Sequence, residues 1–179
     1  MNYAAAPASN VTAGFQLISR ADHEINVRED FALSIVFSAM AFDCELARLH
    51  HKWTSINHLE EFREDLSDDA LDAILRKYNS IDKKIDCVGE LMFPGGMAAY
   101  IKSVPEISNQ IDSSFPSLKG APISQAIQKA LFWPRNAILH VGRTKRSRMD
   151  ALVCRNISAL GIYILSAMDK QKRAQAKSA

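Results

Sequence analysis

The sequence predicts an all-α protein that folds as one domain. Only seven of the 179 residues are glycine, and the strict alternation of apolar and polar residues that marks half-buried strands is hard to find anywhere. Apolar residues instead recur at spacings of three and four along most of the chain, which is the pattern of amphipathic helices. Hydrophobic residues make up 47% and charged residues 23%, so the chain has enough apolar material to bury a core. We therefore expect a helical bundle.

The clearest helix is predicted from Phe31 to Trp53. Its apolar residues keep helical spacing and define one buried stripe, which comprises Ile35, Ala39, Phe42, Leu46, Leu49 and Trp53. Residues 1–30 hold one plausible helical stretch, from Val11 to Ile18, after a small-residue segment that we expect to be mobile. We therefore separate an N-terminal segment, residues 1–30, from a helical domain that covers residues 31–170.

Further helices are predicted between residues 54 and 92. Thr54 or Ser55 offers an N-cap for a short helix, and Ser67, before two aspartates, offers another. The second start opens a long run of helical spacing with a possible break at residues 79–80, and the sequence Pro94-Gly95-Gly96 ends it. The apolar positions of that run are Leu71, Leu75, Tyr78, Ile81, Ile85, Val88 and Leu91 or Met92.

Residues 94–121 are expected to form an irregular, Pro- and Gly-containing excursion with one or two brief helices. Pro122 suits the first turn of the next helix, which Pro134 then interrupts or kinks. Ser147 and Asp150 have the spacing of a capping box at the start of the last helix. Its inner face is predicted to contain Met149, Val153, Ile157, Leu160, Ile164 and Met168, and residues 171–179 to fray.

Several functional classes are disfavoured by composition. The three cysteines, Cys44, Cys87 and Cys154, lack paired metal-site spacing and are interpreted as reduced core thiols. The N-terminus does not resemble a secretory signal, and no later stretch is expected to reach the length of a membrane span, so we expect a cytoplasmic protein without a membrane partner. The formal net charge of +2 is small, so any contact with nucleic acid must come from a local cluster of cations.

The residues with chemical potential follow Pro134. This proline is suited to begin or kink a helix, which would leave Arg135 and Asn136 in its first turn, where free backbone amides favour an anion. Asn136 and His140 are four residues apart and share one helix face, while Arg135 must reach that face with its long side chain. Arginine can grip phosphate oxygens through two hydrogen bonds, and histidine can transfer protons near neutral pH. The alternative is a half-buried His140 beside a surface ion pair of Arg135.

The segment from Arg135 to His140 reads Arg-Asn-x-x-x-His, and it resembles the signature of the HEPN superfamily of helical ribonuclease and nucleotide-binding domains. In that superfamily the motif precedes the last long helix, which is also its position here. The resemblance covers residues 31–170 loosely and these six positions specifically. It implies a HEPN-like bundle of four to six main helices and a homodimer whose two motifs face each other across one cleft.

The resemblance also implies an activity, which is endonucleolytic cleavage of RNA by attack of the RNA's own 2′-hydroxyl, with no metal and no cofactor. The predicted catalytic residues are Arg135, Asn136 and His140. Family members often act as toxins or in phage defence, so an antitoxin or another regulatory protein is a possible partner. The alternative is a catalytically silent module that binds nucleotides, RNA or protein, because some members keep only the fold.

Additional residues are candidates for the same site. Four cations, Arg143, Lys145, Arg146 and Arg148, follow the motif at the N-terminal end of the last helix, where the helix dipole disfavours cations. We predict that they bind the RNA backbone, with a solvated loop as the alternative. Asp43 and Glu45 are candidates to orient His140 or Arg135, although such charges usually form surface ion pairs. Trp133 is interpreted as a core or interface aromatic, with base stacking as the less favoured alternative.

Overall fold

The computed structural model describes residues 13–55, 80–114 and 123–178, and 90% of these residues are helical. No strand occurs among them, which confirms the all-α prediction. The predicted short helix after residue 55 and the part of the longer run from Ser67 to residue 79 lie outside the described residues. The same holds for Pro122 and the mobile segment before residue 13.

The N-terminal part of the chain forms two helices. Helix α1 covers Ala13–His23 and continues directly into a π-helical turn, Glu24–Arg28. Glu29 then takes a left-handed conformation, with φ of 55°, and the Asp30 carboxylate accepts a hydrogen bond from the Leu33 amide at 2.9 Å. This cap begins helix α2, Phe31–Ser55. Helix α2 runs through Ser55, so Thr54 lies inside it and is not an N-cap, and the short helix predicted after Ser55 lies outside the described residues.

The stripe predicted on α2 is buried over its whole length. Each of its six residues is at most 4% exposed, which confirms both the period and the face assigned from the sequence. These positions are Ile35, Ala39, Phe42, Leu46, Leu49 and Trp53.

The middle of the chain is more regular than predicted. Helix α3 covers Ile81–Met92, and Ser80 lies in extended conformation before it, so a helix begins directly after residues 79–80, where the break was predicted. Helices α4, Gly96–Ser103, and α5, Pro105–Ser114, follow after turns. The brief helices expected within residues 94–121 are therefore present, and irregular backbone in residues 94–114 is confined to the turns before α4 and α5. The prolines and glycines there begin helices, since Gly95 supplies a turn with φ of 80° and Pro105 is the first residue of α5.

The C-terminal part contains the motif. Helix α6, Ile123–Ile127, passes into a π-helical turn, Gln128–Phe132, and then into helix α7, Trp133–Val141. Helix α8, Arg148–Ser178, follows a short loop. The predicted capping box is confirmed, because the Ser147 amide donates to Asp150 Oδ2 at 3.0 Å and the Asp150 amide donates to Ser147 Oγ at 3.1 Å.

The chain divides into two compact units. The first unit comprises Met1–Glu45 and Ala130–Ile162. Residues of α1 are part of it, since Ile18 and Ala21 are buried and Asp22 forms a bidentate ion pair with Arg155 at 2.7 and 2.8 Å. Helices α2 and α8 are also joined there, because Ser158 Oγ donates to the Ser38 carbonyl at 2.6 Å.

The second unit comprises Leu46–Lys129 and Tyr163–Ala179. Its Asp169 is 2% exposed and accepts hydrogen bonds from Lys52 Nζ at 2.6 Å and from Trp53 Nε1 at 2.9 Å. Arg173 adds an ion pair at 2.8 Å, and the ammonium groups of Lys52 and Lys172 each lie within 5 Å of the Trp53 ring. The basic end of α8 is thus held by contacts in this unit, and the helix continues to Ser178 where the sequence predicted fraying.

Four side chains that were predicted to be buried are exposed or half-buried. Met149 and Val153 are 68% and 38% exposed, so the inner face of α8 begins later, with Ile157, Leu160, Ile164 and Met168 all buried. The first two turns of α8 therefore present apolar side chains to solvent. The three cysteines carry free thiols, but Cys44 is exposed and Cys87 half-buried, which leaves Cys154 as the one core thiol among them.

One described helix is long and apolar enough to cross a membrane. It is the segment Arg148–Lys177, whose most apolar 18-residue window has a mean hydropathy of 1.5. By length and composition the expectation that no stretch reaches a membrane span is therefore wrong. A helix that packs in a protein core has the same length and apolar composition, and 56% of this window is buried inside the protein.

Candidate functional site

The motif is carried by α7, and Pro134 determines how this helix begins. A proline has no amide hydrogen, so the carbonyl four residues earlier, that of Ala130, cannot receive its α-helical hydrogen bond. In the first unit that carbonyl accepts a hydrogen bond from the Cys154 thiol, with Sγ at 3.0 Å from the oxygen. Cys154 is 2% exposed. A buried side chain of α8 thus satisfies the backbone at the start of the motif helix.

Helix α7 does not begin at an open N-terminus. Phe132, its preceding residue, has helical torsion angles, with φ of −86° and ψ of −32°, because the chain is already helical through the π turn. The expected anion site at free first-turn amides is therefore wrong, since those amides follow helical residues whose carbonyls can accept from them. Anion binding at this site has to come from side chains.

The end of α7 lies directly after the motif. Gly142 takes a left-handed conformation, with φ of 67°, and its amide and that of Arg143 both donate to the Ala137 carbonyl. Glycine adopts this conformation without steric cost, and the hydrogen bonds satisfy a carbonyl of the last turn. His140 consequently lies in the last turn of α7, and the loop of cations begins three residues later.

The motif side chains face solvent. Asn136 and His140 are exposed, and the half-buried Arg135 donates a hydrogen bond from its NH1 group to Asn136 Oδ1 at 2.9 Å. None of the residues of α7 is buried. The structure thus brings Arg135 and Asn136 into contact, with His140 one turn further on. The alternative of a half-buried histidine is wrong for His140.

The exposed face of α7 is mixed apolar and polar. At 100° per residue, Trp133, Asn136 and His140 lie within about 60° of one another on the helix surface. Trp133 is 59% exposed, so it is not a core aromatic, and the interface position and base stacking both stay predictions. Leu139, 50% exposed, lies on the other side of Asn136. The polar atoms of the motif are therefore flanked by two large apolar side chains.

The four cations after the motif have different environments. Arg143 and Lys145 are exposed, and the described residues provide their side chains with no ion pair or hydrogen bond. Arg148 is exposed but donates from NH2 to Asn26 Oδ1 at 2.9 Å. Arg146 is half-buried, and its Nε atom is buried without a hydrogen-bond partner. Arg143 and Lys145 are thus the members of the cluster best placed to meet a phosphate backbone.

Arg146 has an electrostatic role at the beginning of α8. The pKa of the Asp150 carboxyl is lowered, chiefly by the hydrogen bonds from the amide and the side chain of Ser147, and Arg146 lowers it further by its charge. Burial raises the pKa of the Cys154 thiol to about 12, an effect that Arg146 partly opposes. The positive charge of Arg146 therefore interacts with the first turns of α8.

The two acidic candidates lie on α2 in the same unit. Asp43 is half-buried, and Glu45 is 1% exposed. The contact that the structure gives for the Arg135 guanidinium is with the Asn136 carboxamide. Orientation of Arg135 or His140 by Asp43 or Glu45 stays a prediction.

Sequence reasoning missed the residues that support the site. Cys154 and Asn26 were not associated with the motif, yet Cys154 contacts Ala130 in the π turn before α7, and Asn26 contacts Arg148 at the start of α8. Pro134 is a signal that the Ala130 carbonyl needs another donor, but the sequence does not say which residue supplies it. The pairing of Asn26 with Arg148 spans 122 residues and leaves no local signal.

Within residues 13–55, 80–114 and 123–178, no group of three or more His, Cys, Asp or Glu side chains could hold a metal ion. The chain matches no protein-family model, no curated protein and no solved structure.

Proposed function

We propose that this protein is a metal-independent endoribonuclease with its site on the exposed face of α7. The observation that carries the proposal is the contact between Arg135 and Asn136, with His140 exposed on the same helix and two exposed cations beyond it. The helix is unburied, so a substrate can approach all three motif residues. The HEPN-like motif supports the same reaction.

The proposed reaction needs proton transfer and charge stabilisation. The RNA 2′-hydroxyl loses its proton to His140 and attacks the adjacent phosphorus, which forms a 2′-O–P bond and breaks the bond to the 5′-oxygen. The leaving oxygen takes up a proton, and the products are a 2′,3′-cyclic phosphate and a 5′-hydroxyl. Arg135 donates to the phosphate oxygens as negative charge builds up on them, and Asn136 holds the guanidinium through the 2.9 Å hydrogen bond.

His140 is well placed for this role. Its imidazole becomes a cation when it takes the proton, and it lies in the last turn of α7, where the helix dipole favours positive charge. A single imidazole cannot accept one proton and donate another in the same step. The proposal therefore includes a second copy of the motif, which supplies the other proton transfer.

The second copy is proposed to come from a homodimer. Val141, at the end of α7, is 64% exposed, and Met149 and Val153, one turn apart on α8, are also exposed. These three apolar side chains follow the motif in the first unit. Burying them against the same residues of a partner would remove apolar surface from water and bring two motif helices near one another.

The decisive experiment compares His140→Ala with His23→Ala, a matched variant at another exposed histidine of the first unit. Single-stranded RNA is incubated with each protein in excess EDTA, and product ends are analysed for cyclic phosphate. His140→Ala should lose on the order of 10²- to 10⁴-fold in rate. His23→Ala should keep its rate, and both melting temperatures should match the wild type because both side chains are exposed. Full cleavage by His140→Ala, or a strict need for divalent metal, would refute the mechanism.

Arg135→Ala tests the second role at this site. Loss of one preorganised donor to the developing negative charge costs roughly 3 kcal/mol, or about 10²-fold in rate. The double variant with His140→Ala should lose less than the sum of the two single losses, since residues that act as a unit are not additive.

The second candidate function is a catalytically silent module that binds RNA, nucleotides or another protein through the same face. The exposed apolar side chains beside the motif favour it specifically, since they would also suit a regulatory protein such as an antitoxin. RNA binding without cleavage by the wild type, with a monomeric mass by light scattering, would select this function. Under either function we propose a cytoplasmic protein.

A further inference from the structure

Trp133 is an unexplained feature of the motif helix. It is the first residue of α7, and 59% of its surface is exposed. The other tryptophan, Trp53, is 4% exposed and donates its indole hydrogen to Asp169. The exposed part of the Trp133 indole presents an aromatic surface to solvent on the helix that carries the motif.

The position of Trp133 relates it to the motif. Trp133, Asn136 and His140 follow one another at spacings of three and four on one helix face. At 1.5 Å per residue, the seven residues from Trp133 to His140 correspond to about 10 Å along the axis. That length is comparable to one or two nucleotides of an extended strand. Arg143 and Lys145 lie beyond the other end of the helix. An aromatic surface and two cations therefore lie on opposite sides of Asn136 and His140.

We propose that Trp133 stacks an unpaired nucleobase of the RNA beside the phosphate that reacts at His140. The inference rests on the proposed function and makes it more specific, because a base can lie flat on an indole only when it is not paired within a duplex. Stacking is sequence-tolerant, since every base has a flat aromatic face. The site therefore selects single-stranded RNA, with phosphates held by Arg143 and Lys145 and one base held by Trp133.

The test uses the full chain carrying His140→Ala, so that RNA is bound without being cleaved. Two short oligoribonucleotides of equal length are compared, one normal and one with abasic positions that keep every phosphate. Trp133→Ala should weaken binding of the normal RNA by roughly 10- to 100-fold and leave the abasic RNA unaffected. Trp133→Phe should restore most of the affinity. Phe15→Ala, which removes another exposed aromatic of the first unit, is the matched control and should change neither.

A spectroscopic signature accompanies binding. Normal RNA should quench the emission of Trp133, whereas abasic RNA should not, and Trp53 is too buried to stack. Equal loss of affinity for both RNAs, or no loss, would overturn the proposal. A fall in molecular mass on Trp133→Ala would also overturn it, because a second copy of the chain would then be what covers the indole. If Trp133-dependent binding holds but the wild type does not cleave RNA, the nuclease proposal fails and the stacking site stands.

Discussion

The hydrogen bond from Cys154 to Ala130 makes a prediction about stability that can be worked from the structure. Cys154→Ala removes the thiol that donates to the half-buried Ala130 carbonyl, to which Pro134 cannot donate. Loss of one hydrogen bond costs about 0.5 to 1.5 kcal/mol, and the lost packing of the buried sulfur about 1 kcal/mol more. We therefore expect Cys154→Ala to lower the free energy of unfolding by about 1.5 to 2.5 kcal/mol. Cys154→Ser, which keeps a donor, should lose clearly less.

Urea denaturation measures this difference through the midpoint concentration at unchanged slope. Cys44→Ala is the control, since this exposed thiol should change the free energy of unfolding by at most about 0.5 kcal/mol. Serine and alanine variants that are equally unstable, or an alanine variant within about 1 kcal/mol of the wild type, would refute the role of the thiol as a donor. RNA cleavage should fall with Cys154→Ala as well, because the start of α7 positions Arg135.

Three further predictions concern pH, salt and packing. Burial raises the pKa of the Cys154 thiol from 9.0 to about 12. The protonated thiol should therefore contribute its full stability below pH 9, and this contribution should be lost as the pH rises towards 12. Thermal melts of the wild type should show the loss, and those of Cys154→Ser should not. Replacing Arg143 and Lys145 with Gln should reduce the slope of log affinity against log salt by about 1.4 for single-stranded RNA. The control Lys170→Gln should leave the slope unchanged. Equal slopes for all variants would assign Arg143 and Lys145 to a solvated loop. Gly161→Ala would place a Cβ atom 2.5 Å from the Phe42 ring, so it should destabilise by about 1 to 3 kcal/mol in urea, and a neutral effect would contradict that close packing.

The fold could be predicted from sequence where periodicity and local caps decide it. The stripe on α2 and the capping box of Ser147 and Asp150 are of this kind, because each depends on residues close in the chain. The same reasoning extended the buried face of α8 back to Met149 and Val153, since helical spacing cannot tell a core face from an apolar surface face. The two π turns were also missed, because they change the period that the reasoning assumes.

The residues of the candidate site could be predicted from the sequence, but the distant residues that hold them in place could not. Arg135, Asn136 and His140 share a helix because they are close in sequence, and none of them is buried. The division of the cations into exposed Arg143 and Lys145 and the more constrained Arg146 depends on distant packing, which a single sequence does not encode in any local pattern.

The two tryptophans belong to different units, Trp133 to the first and Trp53 to the second. Each unit therefore carries its own fluorophore, and two single-tryptophan variants, Trp53→Phe and Trp133→Phe, would report on them separately. Coincident denaturation curves would show that the chain unfolds as one cooperative system, and displaced curves that it unfolds in stages. If the unit of Trp53 melts first, a population would exist in which the motif helix remains folded while half of the chain is exposed to proteases, which would link the lifetime of the activity to the less stable unit.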